Sequence, residues 1–131
     1  MKERNVILFV DDEKICHTLA ELIIPNFTKY RLVSAYNGAE AIELSKRYAS
    51  DLLLVLSDIM LPDINGYEIY NRLKEDSRLK DVPFIFQSGL ESQEIELRKH
   101  IGKNAKIKIL SKPYKQPELL AAIEEALKSS S

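Results

Sequence analysis

A three-layer α/β fold, with a five-stranded parallel sheet between two layers of helices, is predicted by three observations. Five short apolar or β-rich runs recur along the chain, stretches with helical spacing separate them, and three of the runs are apolar almost throughout. Strand–helix alternation of this kind builds parallel sheets. Unbroken apolar runs mark strands buried on both faces.

The elements follow in order. The first strand, 6-VILFV-10, stops at Asp11. Ile15, Leu19, Leu22 and Ile23 then recur at helical spacing on one apolar face, and this helix is expected to stop before Pro25. The second strand is 31-RLVSAY-36, and Ala39, Ile42 and Ser45 alternate with charges along the second helix. The third strand, 52-LLLVL-56, precedes a Pro- and Gly-bearing loop, and 68-EIYNRLKE-75 forms the helix after Gly66. The fourth strand is 83-PFIFQS-88. The helix 91-ESQEIELRKHI-101 follows it, with Ser88 and Glu91 at capping-box spacing. The last strand, 106-KIKIL-110, alternates Lys with Ile as an edge strand does. Pro117 opens the last helix, where its missing N–H costs nothing, and that helix runs to about Lys128. Right-handed crossovers leave few arrangements of such a chain, and the flavodoxin-like strand order 2-1-3-4-5 is the natural one. Residues 1–128 are expected to form one domain, with Ser129, Ser130 and Ser131 a frayed end or the start of a linker.

Bulk properties narrow the function classes. At 131 residues the chain can bury a core without staples. A net charge of -1 offers no basic excess to neutralise phosphates, so direct nucleic-acid binding is not expected. The single Cys16 allows neither an intramolecular disulfide nor a Cys-rich metal site. The run 6-VILFV-10 behind Lys2 and Arg4 is too short for a signal core, and Asp11 and Asp12 cut it off. No run reaches membrane-spanning length, so the cytoplasm is the expected compartment. His17 and His100 lie on different predicted helices without ligand spacing and are read as surface histidines.

In open α/β sheets, ligands bind outside the carboxyl ends of the strands. Asp11 and Asp12, followed by Glu13, end the first strand, and Asp58 ends the third. Ser88-Gly89 ends the fourth, and Lys112-Pro113 follows the fifth. Each signal alone is ordinary: acids favour a helix's first turn, Asp suits a turn, Ser caps helices and lysines are mostly solvated. Together they place three carboxylates, a hydroxyl and an ammonium on one rim. Crowded carboxylates repel unless a cation neutralises them, and all-oxygen ligands suit Mg²⁺. Phosphoryl transfer to a carboxylate needs this set. Asp58 would be the nucleophile, while the metal, Lys112 and Ser88 would stabilise charge on the phosphoryl oxygens. Gly89 keeps the pocket uncovered.

These residues closely resemble the receiver domains of two-component response regulators. The resemblance covers nearly the whole chain and rests on Asp11-Asp12, on 58-DIMLPDING-66 with its D-x-x-x-P-x-x-x-G spacing, on Ser88-Gly89 and on Lys112-Pro113. It implies phosphate transfer to Asp58 from a sensor histidine kinase or a phosphotransfer protein. It also implies Mg²⁺ bound by Asp11, Asp12, Asp58 and the main-chain carbonyl of Met60, and a cis Lys-Pro bond. A receiver catalyses only its own phosphorylation and dephosphorylation, and signals to a downstream protein or a fused output domain. Two departures stand out: Ile109 occupies the position of the family's aromatic switch, and the stretch 102–109 is longer than the usual loop.

Other readings share some features. A flavodoxin-like binder needs N–H donors after the first strand, where this chain has acids. An Asp-nucleophile phosphatase usually carries a second acid two residues after its nucleophile, where Met60 stands. A degenerate receiver that only docks a partner conflicts with the complete acid, hydroxyl and lysine set.

Overall fold

The computed structural model describes residues 3–102, 105 and 107–129. Elements alternate strictly: β1 (Val6–Val10), α1 (Lys14–Phe27), β2 (Arg31–Ala35), α2 (Gly38–Arg47), β3 (Leu52–Asp58), α3 (Gly66–Lys74), β4 (Phe84–Ser88), α4 (Glu91–Ile101), β5 (Ile107–Ser111) and α5 (Gln116–Ser129). All strand pairs are parallel, and their order is β2-β1-β3-β4-β5, as the alternation predicted. Ser129, expected in a frayed end or linker, belongs to α5, and residues 130 and 131 of that expectation lie outside the described residues. So do residues 103, 104 and 106, on which the expected lengthening of the 102–109 stretch falls.

Side chains of successive strand residues point to opposite faces, and the core divides accordingly. Val6, Leu8, Val10, Val55, Phe84 and Phe86 pack on one face with Ala41 of α2, Ile69 and Leu73 of α3, and Leu97 of α4. Ile7, Phe9, Leu54, Leu56 and Ile85 pack on the other with Ala20 and Ile24 of α1, and Leu119 and Ile123 of α5. Burial on both faces explains why β1, β3 and β4 read as continuous apolar runs.

Helix α1 departs from expectation twice. It continues through Pro25 to Phe27, because Pro25 lies in the last turn and costs one helical hydrogen bond there. The Thr28 N–H and hydroxyl then both donate to the Ile24 carbonyl and close the helix (3.0 and 2.6 Å). The helix also turns a different stripe to the sheet, and of the expected face only Ile23 packs against the core. His17, Ala20 and Ile24 are buried, whereas Ile15, Leu19 and Leu22 are 64%, 52% and 58% exposed. His17 is therefore a core histidine, stacked on Tyr36 and edge-on to Phe9. His100 is exposed, as expected, and stacks on Tyr67.

The β3–α3 loop is tied down at both ends. Its Asp63 carboxylate accepts hydrogen bonds from the Gly38 and Ala39 N–H groups (2.8 and 2.9 Å), where the first turn of α2 has unpaired donors. Gly66 N–H donates to the Ile59 carbonyl at 2.7 Å. A Cβ at Gly66 would stand 2.2 Å from the Asp58 carbonyl oxygen, so only glycine allows α3 to start against the end of β3. That close approach is the physical content of the spacing from Asp58 to Gly66. Gly66→Ala is expected to cost about 3 kcal/mol of stability, because backbone rather than a side-chain tip must move. Urea denaturation checks this, and an unchanged midpoint would refute the close approach.

Candidate functional site

Three strand ends and one loop build a cluster at the carboxyl edge of the sheet. Asp11 leaves β1 fully buried, and Asp58 ends β3 at 8% exposure. Asp12 is exposed beside them. The three carboxylates each bring an oxygen within 4.8 Å of the others. Lys112, just after β5, places its Nζ 2.8 Å from Asp11 Oδ2 and 2.8 Å from Asp58 Oδ1. The Lys112–Pro113 bond is cis, as the resemblance implied.

Position in the cluster sets the charges. Burial raises the Asp58 pKa most, the Lys112 hydrogen bond opposes this, and the Asp11 charge adds to the rise; the result is a carboxyl pushed up to about 7. Burial works on Asp11 as well, but the Lys112 hydrogen bond and the Glu13 N–H (2.9 Å to Oδ1) hold it below the usual carboxylate value. For Lys112, burial is outweighed by its bonds to both acids, so its pKa rises. Cys16 lies near this cluster, with Sγ 4.0 Å from Lys112 Nζ. Burial and the Asp11 charge push its thiol up to about 11, so it stays protonated and is a poor metal ligand.

Ser88 is buried at the end of β4, where its hydroxyl donates to the Leu90 carbonyl (2.8 Å). This corrects the expected capping box: Leu90 is the residue preceding α4, with no side-chain cap of its own. The Ser88 hydroxyl points to the loop rather than to the helix N–H groups. A Cβ at Gly89 would meet nothing within 4 Å, so the rim over the carboxylates is open at this position. Ile109 sits half-buried on the α4 side of the sheet.

Two further residues complete the cluster: Gln87, which the sequence reading passed over, and His17, which it took for a surface histidine. Gln87, 1% exposed, pairs with Asp58 in the β3–β4 register. Its Nε2 donates to Asp58 Oδ1 (3.0 Å) and to Asp11 Oδ2 (3.2 Å), and its Oε1 accepts from the Tyr114 hydroxyl. His17 Nε2 donates to the Asp11 carbonyl (2.7 Å), linking α1 to the same strand end. The available signal was a glutamine and a histidine at positions where the fold expects apolar residues.

The family model for the response regulator receiver domain matches residues 7–124. The chain belongs to that family. It is 30% identical to Response regulator Rre1 of a Synechocystis species, over 97% of this chain and 53% of that protein. It is 28% identical to DivK, a polar-differentiation response regulator of Brucella anthropi, over 95% and 96% of the two chains. The chain thus spans about half the length of Rre1 and nearly all of DivK. Among solved structures, the receiver domain of sensor histidine kinase PA1611 from Pseudomonas aeruginosa superposes with a TM-score of 0.78 at 22% identity, covering 95% of this chain and 98% of that one. That receiver holds a magnesium ion coordinated in its active-site cleft.

The receiver domain is a phosphoacceptor module of two-component signalling, and domains of this family are signalling modules without a classical catalytic function. Receiver domains bind a divalent metal in an acidic pocket, and the Asp11, Asp12 and Asp58 cluster fits such a pocket. No helix among the described residues is long and apolar enough to cross a membrane.

Proposed function

We propose that Asp58 accepts a phosphoryl group from a phosphohistidine on a sensor histidine kinase or phosphotransfer protein, in a Mg²⁺-dependent reaction. The observation that carries this reading is the convergence of Asp11, Asp12 and Asp58 within 4.8 Å, with Lys112 bridging two of them. Two buried carboxylates share a single ammonium, and the Asp58 pKa is raised first by burial and then by the Asp11 charge, against the pull of Lys112. An all-oxygen, electron-rich pocket of this kind suits a hard cation. Asp11, Asp12, Asp58 and the main-chain carbonyl of Met60 would hold Mg²⁺. Once bound, it would neutralise the carboxylates and offset the charge of the phosphoryl oxygens. The magnesium in the PA1611 receiver supports this choice of ion.

The chain's own residues do the rest. The Asp58 carboxylate attacks phosphorus as the nucleophile. Lys112 passes one of its two hydrogen bonds from the carboxylates to a phosphoryl oxygen. Ser88 exchanges its bond to the Leu90 carbonyl for a second phosphoryl oxygen. The protein turns over only its own phosphoryl group. The receiver unit takes residues 1–128 and works in the cytoplasm. Its output passes to a downstream protein or a fused domain, without direct contact to nucleic acid or membrane.

Incubation with acetyl phosphate and Mg²⁺ is expected to add one phosphate to the intact mass, and EDTA is expected to block the gain. No gain with metal present, or an equal gain in EDTA, would refute the proposal.

A further inference from the structure

The Gln87 amide is buried in β4 directly after the apolar run Phe84–Phe86, and its side-chain bonds go to groups at the site. Carboxylates only accept hydrogen bonds, so the Gln87 Nε2 must face Asp11 and Asp58, and Oε1 must face the Tyr114 hydroxyl. The Tyr114 contact thus fixes the amide's orientation from the loop between β5 and α5. Both Gln87 Nε2 and Lys112 Nζ approach the same oxygen of Asp58, Oδ1, at 3.0 and 2.8 Å. Packing alone would not require this, since an apolar side chain could fill the space without the cost of burying an amide.

We propose that Gln87, held by Tyr114, is a positioning residue that fixes Asp58 by its Oδ1 and so presents Oδ2 to the phosphoryl donor. The inference rests on Asp58 being the phosphoacceptor. In the transfer, an Oδ2 lone pair forms the new O–P bond. The bond from phosphorus to the donor breaks, and its electron pair leaves with the donor, the imidazole nitrogen of a phosphohistidine or the acetate oxygen of acetyl phosphate. Oδ1 then becomes the carbonyl oxygen of a mixed anhydride. Lys112 is needed on the phosphoryl oxygens at that moment. Gln87 is the donor that stays on Oδ1 before and after transfer, because none of its three partners, Asp58 across the sheet, Asp11 and Tyr114, has to move away. The buried amide therefore preserves the carboxylate's rotation while the ammonium changes partner.

The test measures phosphorylation by acetyl phosphate at saturating Mg²⁺ in wild type, Gln87→Leu, Tyr114→Phe and the double variant. Gln87→Leu is expected to lower the maximal rate at least about tenfold while leaving the donor concentration for half-maximal rate unchanged. Tyr114→Phe removes only a hydroxyl and keeps the packing, and a fall of about threefold is expected. The double variant is expected to be no slower than Gln87→Leu, because Tyr114 acts through Gln87. In the unphosphorylated wild type, the Gln87 side-chain amide protons are expected to exchange slowly with solvent by NMR, and Tyr114→Phe is expected to speed that exchange. Unchanged maximal rates, or additive losses in the double variant, overturn the proposal. If Gln87→Leu does not fold, an unchanged rate and amide exchange in Tyr114→Phe overturn it alone. A wild type that takes up no phosphate brings down the phosphoacceptor reading and this inference together, whereas a labelled wild type with unaffected variants brings down only the inference.

Discussion

Asp58→Asn is expected to take up no phosphate under conditions in which the wild type gains one, and to become the more stable protein in chelator at pH 8. The first result follows from removing the nucleophilic oxygen. The second follows from charge. In the unfolded chain Asp58 has a pKa of about 3.9, and in the folded protein its carboxyl is pushed up to about 7. Between those values the folded state holds a proton that the unfolded state has released, so stability falls as pH rises. The contribution is fully present below about pH 4 and lost as pH passes through about 7. The loss in the metal-free wild type is on the order of 4 kcal/mol, and Asp11, held below its usual value, stays ionised across this window and leaves it unchanged. The amide of the Asp58→Asn variant has no charge to desolvate, so that variant should show a flatter profile over this window. Urea denaturation in EDTA from pH 4.5 to 8.5, together with intact mass after acetyl phosphate, checks both. Equal phosphate uptake by the variant would move the acceptor elsewhere, and an equal pH slope would show that Asp58 is not the strained carboxyl.

The strand order was legible because β1, β3 and β4 are buried on both faces and carry nearly unbroken apolar runs. Asp11, Asp58, Ser88 and Lys112 were legible through the rule that such sheets bind at their carboxyl edge. Each lies at or just beyond a strand end. The face of α1 was not legible. Both the stripe Ile15–Leu19–Leu22 and the stripe His17–Ala20–Ile24 have helical spacing, and the larger apolar side chains lie on the exposed one. Small Ala20 suits a helix lying close to the sheet, but nothing local says which stripe meets it. Gln87 escaped for a different reason. Its meaning comes from lying across the register from Asp58 and beneath Tyr114, 27 residues away, and a linear reading cannot supply a cross-strand neighbour. Ser88 was misassigned as a cap because its spacing to Glu91 is correct, while the chain beyond β4 turns so that its hydroxyl meets the Leu90 carbonyl instead.

Lys112→Met is expected to destabilise the metal-free protein by about 3 kcal/mol at neutral pH, and both acid and Mg²⁺ should restore most of the loss. The chain places one ammonium, 21% exposed, against two carboxylates that water scarcely reaches. Methionine keeps much of the stem's volume and removes the charge, so the change reports electrostatics more than packing. Without the ammonium, Asp11 and Asp58 face each other across a buried space with only neutral donors between them. Their pKa values should both rise, because desolvation and mutual repulsion then act without the opposing cation. The folded state then binds protons more tightly than the unfolded state, so the penalty grows with pH through the neutral range and fades toward about pH 5, where one carboxyl is protonated. Mg²⁺ supplies positive charge to the same oxygens, so it should rescue the variant more than it stabilises the wild type. Its affinity should not fall, since an ammonium offers no lone pair to a metal and competes for the same carboxylates. Urea denaturation with and without Mg²⁺, beside a direct metal titration, separates these effects. A collapse of metal affinity in Lys112→Met would mean that the lysine organises the carboxylates for the ion instead of competing with it, and the division of roles between Lys112 and the three acids would have to be redrawn.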